Sequence, residues 1–203
     1  MNPFRQNRFP SSLPYKSVVA PLCILRKALV LQHTAFNRKV FAQGALNADR
    51  QKVIDEYAPA LSAAGDRKHG EAVFGEHCAT CHRVGTSPVG HDIGPNFLTV
   101  RDWSRENLVA AILDPDRTVE PRYLAYTATL RDGAVYTGLL TVDSAAAVTI
   151  KTLDDADHVL PRADLKSLAS TNHSLMPQGF ETALTPEDLA DLMAFIQNPT
   201  AAK

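Results

Sequence analysis

The chain has 203 residues, 45% apolar and 21% charged, the proportions of an ordinary globular protein. This excludes wholesale disorder and a collagen-like fibre, and three cysteines are too few for a disulfide scaffold. The net charge of −1 gives no global sign of nucleic-acid binding, yet it is unevenly spread: residues 1–59 carry nine Lys/Arg against three Asp/Glu, and residues 60–203 carry twelve against nineteen.

Residues 1–45 form a basic front segment punctuated by Pro3, Pro10, Pro14 and Pro21. Its longest apolar run, Val18 to Leu25, is interrupted by Pro21 and stops at Arg26-Lys27, far short of the ~20 residues that span a bilayer. Arg5, Arg8 and Lys16 ahead of that run make a poor export signal, with Phe41 to Ala45 as a distant cleavage site. The remnant of an upstream helical region is the other reading. Cys23 reads as an incidental or small buried thiol. Residues 46–65 read as a linker helix, with Val53, Ile54, Tyr57 and Leu61 at helical spacing and Pro59 interrupting them.

Residues 66–198 are expected to form one domain, with 199–203 as a tail. Gly70, Phe74, Cys78 and Cys81 recur at intervals of four, four and three, which puts them on one helical face. A Gly/Pro-rich loop covers Arg83 to Val100. A second helix is predicted from Arg105 to Leu113, with Ser104 as N-cap, Trp103 and Leu108 placed as a hydrophobic staple, and Asp114-Pro115 as its stop. Then the period changes to two. Tyr123–Leu130 and Ala134–Val142 flank Asp132-Gly133 as a hairpin, Ala147–Leu153 is a third strand, and a fourth follows the acidic turn in Asp154–Leu160. This block, about 123–167, reads as a small antiparallel sheet inserted into a helical domain. The last helix starts at Thr185 as N-cap, Pro186 at its first position and Asp188 at its third, with Leu189, Leu192, Met193 and Ile196 as its apolar stripe.

The chemistry is concentrated in Cys78-Ala79-Thr80-Cys81-His82, the C-x-x-C-H pattern of c-type haem attachment. Two thiols three residues apart on one turn suit the two vinyl groups of one porphyrin, and the adjoining imidazole suits its iron. A structural zinc site needs four ligands, and only a cramped set with His77 and His82 is at hand. A thioredoxin-like pair expects a βαβ setting that is missing here. Haem requires a second axial ligand elsewhere in the chain. Met176, in the turn-rich stretch Ser174 to Phe180, is the first choice, because Met193 belongs to the helical core stripe. His91 and His173 are runners-up, while His33, His69 and His158 read as surface residues.

These residues resemble a class I cytochrome c. Gly70, Phe74, Cys78, Cys81 and His82 match its N-terminal helix, Gly94-Pro95 its proximal loop, Met176-Pro177 its distal loop, and Leu192 and Phe195 its C-terminal helix. A closer likeness is to the planctomycete-type haem-binding domain, through "GEAVFGEHCATCH", "IGPNFL", "LVAAILDPDR" and "SLMPQGFETALTPEDLADLMAFI", covering roughly Asp66 to Asn198. The resemblance implies a mainly α, class I cytochrome c fold with the sheet inserted between the second helix and the distal Met loop. It implies that Gly70 lets the terminal helices cross in contact with Phe195, and that the Pro95 carbonyl accepts a hydrogen bond from His82.

The function it implies is that of a one-electron carrier rather than an enzyme. One haem c would be held through Cys78, Cys81 and Pro95, with His82 and Met176 as iron ligands. A redox protein, a dehydrogenase or another cytochrome, would be the partner, because members of that family often follow dehydrogenase-like regions in larger secreted proteins. The location would be periplasmic or otherwise exported, since thioether attachment takes place outside the bacterial cytoplasm. The alternatives are a haem enzyme or gas sensor with an open sixth position, and a zinc-stabilised interaction domain. His82 and Met176 lie 94 residues apart, and the inserted sheet accounts for the excess as an ornament near the distal side.

Overall fold

The computed structural model of the chain describes residues 47–199. The front segment 1–45, with Cys23 and His33, and residues 200–203 of the tail lie outside the described residues.

The first helix, α1 (Ala48–Glu56), is capped by the Asn47 side chain, which accepts from the Asp49 and Arg50 amides. Pro59 has no N–H to continue the ladder, so the chain resets at Tyr57 and starts α2 (Ala58–Ser62). The stretch expected as a linker is built into the core instead. Tyr57 and Ala60 are buried there, and the Tyr57 hydroxyl donates to the carbonyls of Leu184 and Glu181.

Helix α3 (Arg67–His77) is capped by Asp66, and α4 (Phe97–Val100) is a single turn capped by Asn96. Helix α5 (Arg105–Leu113) has the expected bounds, and the Ser104 side chain accepts from the Asn107 amide. The last helix, α6 (Pro186–Gln197), opens with a complete capping box between Thr185 and Asp188. Helices α3 and α6 cross at Gly70, where a Cβ would stand 2.0 Å from the Asp191 carbonyl oxygen. The close approach at this glycine is therefore to the backbone of α6 around Asp191. Phe195 meets the aromatic residue one turn on, Phe74, at 5.5 Å between ring centroids.

Between α5 and α6 lies an antiparallel sheet of five strands: β1 (Leu124–Leu130), β2 (Val135–Asp143), β3 (Ala147–Lys151), β4 (Asp157–Pro161) and β5 (Leu165–Ser174). Their order across the sheet is β4-β3-β2-β1-β5. The first four form a meander, and β5 returns across it to pair with the free edge of β1. Gly133 closes the first hairpin at φ +95°, with the Ala134 amide donating to the Asp132 carboxylate. Ala128, Val148, Ile150 and Leu160 form a small core of the sheet's own.

The fold is therefore mixed α/β, six α-helices and a five-stranded sheet among the described residues, and not mainly α. The sheet also extends past 167 to Ser174. The sequence does not announce the fifth strand because "LKSLASTNHS" lacks the apolar alternation of a half-buried strand, and half of its side chains face water along an edge.

Candidate metal centre

Helix α3 stops at His77, and Cys78 caps it with its amide donating to the Phe74 carbonyl. The chain then tightens. The amides of Cys81 and His82 both donate to the Cys78 carbonyl, at 3.0 and 2.9 Å. This turn brings Cys78, Cys81 and His82 to the wall of one cleft. Both cysteines are free thiols. Loss of water on burial pushes the Cys78 thiol up to about 12, with the nearby Cys81 adding to the effect. Burial raises Cys81 as well. The apo thiols are therefore neutral at physiological pH.

The His82 ring is half-buried and is kept neutral by desolvation, against an opposing contribution from its hydrogen bond to Pro95. That bond joins Nδ1 to the Pro95 carbonyl at 2.8 Å. A carbonyl only accepts, so Nδ1 carries the proton and Nε2 keeps its lone pair. Phe97 packs on the ring at 5.0 Å between centroids. Gly94 supplies the clearance behind it, because a Cβ there would lie 2.3 Å from His82 Cε1. The loop from 83 to 96 is drawn in by the amides of Ile93 and Gly94, which donate to the Cys81 carbonyl at 3.1 and 2.7 Å. Asn96 ties its base, accepting from the Gly85 amide and donating to the Gly85 carbonyl, both at 2.8 Å.

Met176, half-buried between Leu175 and Pro177, lines the same cleft. Its amide donates to the Ser174 hydroxyl at 3.1 Å. Leu108, Ile112, Leu192 and Ile196 line the helical side of the cleft; Leu139 of β2 and Ser174 at the end of β5 line it from the sheet, with Tyr123 just before β1 and Leu153 just after β3. The free space between these walls is about 1260 Å³ with the open mouth included. The sheet thus contributes to the lining of the cleft.

The remaining ligand candidates stand apart. His91 Nδ1 meets Asp155 at 2.9 Å, and His173 Nδ1 meets Asp116 at 2.9 Å. His69 pairs with Asp191, and His158 is half-buried against the Tyr136 ring. Met193 is fully buried in the helical core. Among the described residues, no group of three or more His, Cys, Asp or Glu side chains is arranged to hold a metal ion. Two organising residues escaped the sequence reading. Asn96 left a cap signal ahead of "FLTV", while the partners of Asp116 lie 57 to 62 residues further on, beyond any local signal.

Residues 65–126 match the family described as cytochrome c oxidase, cbb3-type, subunit III. The matched stretch holds α3, the Cys78–His82 turn, the Pro95 loop and α5, and it ends inside β1, so Met176 and α6 lie beyond it. No curated protein matches the chain. The family match, falling on the part of the chain that carries both thiols and His82, supports a c-type cytochrome domain.

Proposed function

We propose that this domain holds one covalently attached haem c and passes single electrons. In this reading Cys78 and Cys81 are the thioether anchors, His82 and Met176 are the axial ligands, and Pro95 is the acceptor behind His82. The observation that carries it is the His82–Pro95 hydrogen bond, which leaves Nε2 as a metal-binding lone pair beside two free thiols in an apolar cleft. The donor set fits haem c: two thiols on one turn, a neutral imidazole beside them, and a thioether lining the same cleft.

Haem c supplies a one-electron ferric/ferrous couple, and a thioether opposite an imidazole favours its ferrous state. The chain's own residues do the rest. Pro95 and Gly94 hold the imidazole in one tautomer and orientation. Leu108, Ile112, Leu192 and Ile196 keep water from the cleft and lower the local dielectric. If His82 and Met176 both held the iron, they would leave no place on it for a substrate, so the domain is read as a carrier and not an enzyme. A structural zinc site needs four ligands, and among the described residues no group of three or more His, Cys, Asp or Glu side chains is arranged to hold a metal ion, which counts against a zinc-stabilised module.

The partner is proposed to be a redox protein, a dehydrogenase or another cytochrome, met outside the cytoplasm. No helix among the described residues is long and apolar enough to cross a membrane. The surplus of acidic residues over 60–203 suits a basic docking face on that partner, with an association rate that falls as salt rises.

The test is protein matured with haem-attachment machinery, followed by a pyridine haemochrome spectrum and a denaturing gel. Wild type carries a red band that Cys78→Ser with Cys81→Ser abolishes, and colourless wild type overturns the reading. Met176→Leu keeps the band, lowers the reduction potential and opens the iron to carbon monoxide. An unchanged potential reassigns the distal ligand.

A further inference from the structure

Asp116 is neither an anchor nor a ligand of the proposed haem. It sits in the turn after α5, its side chain 24% exposed, and its carboxylate gathers three donors from one short stretch. The Ser174 amide donates to Oδ1 at 2.7 Å. His173 donates from Nδ1 to Oδ2 at 2.9 Å, and Gln178 donates from Nε2 to Oδ2 at 3.0 Å. Two of these donors precede Met176 and one follows it.

The turn beneath Asp116 is itself held. Asp114, only 4% exposed, pairs with Arg117 Nε at 3.0 Å, and Arg117 Nη2 donates to Gln51 of α1 at 2.7 Å. Before Met176 the chain is also tied by the sheet, since Ser174 ends β5 opposite Leu124 of β1 and the Leu175 amide reaches the Tyr123 carbonyl at 3.3 Å, while the Met176 amide turns back onto Ser174. The flanking side chains His173 and Gln178 are exposed and bury little apolar surface of their own. Hydrogen bonds to an ionised carboxylate are shorter and stronger than neutral ones.

We infer that Asp116 is the positioning residue for the distal ligand: by gripping both flanks of Met176 it sets where the thioether stands in the cleft. This rests on the reading of Met176 as an iron ligand, and it extends the site to a residue 60 positions earlier in the chain.

The test compares wild-type holoprotein with Asp116→Ala, and with the double variant His173→Ala/Gln178→Ala, which removes two donors from exposed side chains. Three quantities are read: the near-infrared sulfur-to-iron band of the ferric protein, the rate of carbon monoxide binding to the ferrous protein, and the reduction potential. Asp116→Ala is expected to keep covalent haem, weaken the band, lower the potential and bind carbon monoxide about tenfold faster, corresponding to about 1.4 kcal/mol. The double variant falls between it and wild type. If Asp116→Ala does not fold, the double variant decides: faster carbon monoxide binding supports the inference, and a wild-type rate overturns it. A lower melting temperature with band, rate and potential all unmoved marks Asp116 as merely structural and also overturns it, while leaving Met176 in place. Wild-type holoprotein that lacks the band and binds carbon monoxide rapidly overturns the Met176 assignment itself, and this inference with it.

Discussion

At Gly94 the clearance behind His82 is less than one carbon atom. An added methyl would lie 2.3 Å from the ring, so Gly94→Ala must rotate the imidazole or push the loop away, and either change strains the Pro95 hydrogen bond. At Gly70 the obstacle is the Asp191 carbonyl at 2.0 Å, and backbone yields less readily than a side chain. Overpacking of this kind costs about 1–3 kcal/mol. Gly70→Ala is expected at the upper end and Gly94→Ala at the lower, as read from thermal melts of the holoproteins. Gly94→Ala should in addition disturb the imidazole resonances of His82. The turn from Cys78 to His82 stands out in the sequence because its residues are contiguous, and Met176 because it is one of only three methionines; the fold brings them to one cleft. Asn96 and Asp116 act through partners brought to them by the fold, and no spacing in the chain marks such pairs.

Helix boundaries were readable wherever a capping side chain and an apolar stripe coincide, as at Ser104 with α5 and Thr185 with α6. The reading failed where an element is held by polar contacts. Helix α1 has no buried residue of its own, which made it look like a linker. It packs Val53 and Ile54 half-buried against the helical core, and its polar hold is Arg50, which makes a two-pronged ion pair with Glu181 at 2.6 and 2.9 Å and also donates to the Leu113 carbonyl. The two side chains are only 12% and 23% exposed, so removing one leaves the other charge poorly solvated. Arg50→Ala is expected to cost about 2–3 kcal/mol, the scale of a charged hydrogen bond lost together with its partner's desolvation. Arg50→Ala/Glu181→Ala should recover part of that loss, a difference that chemical denaturation of the three variants would measure. Strand β5 failed for a related reason, since an edge strand of Ser, Thr and Asn shows in backbone pairing and not in hydropathy.

Seen whole, the molecule ties its first and last long helices together at one carboxylate. Asp191 of α6 accepts from the Asp66 amide and from His69 Nδ1, both at the start of α3. The hydrogen bond to Asp191 raises the His69 pKa above its ordinary 6.5, against a smaller loss of hydration. A folded value above the unfolded one means that the stabilisation is complete below about pH 6.5 and is lost as the pH rises through the folded value. The ring is half exposed, so the effect is small. The melting temperature of wild type should therefore decline slightly more than that of His69→Gln on going from pH 6 to pH 8. Parallel profiles would show that the pair contributes nothing to linkage.

The mainly α expectation failed at this scale too, because the five-stranded sheet contributes to the lining of the cleft and leads into the segment that bears Met176. This has a kinetic side. His82 and Pro95 are 13 residues apart, whereas all five strands of the sheet lie between them and Met176 in the chain. Closing the longer loop adds only about 2 kcal/mol of chain entropy, but pairings so remote in the chain form late during folding. The His82 side of the cleft is thus built from contacts local in the chain, while its Met176 side depends on long-range strand pairing.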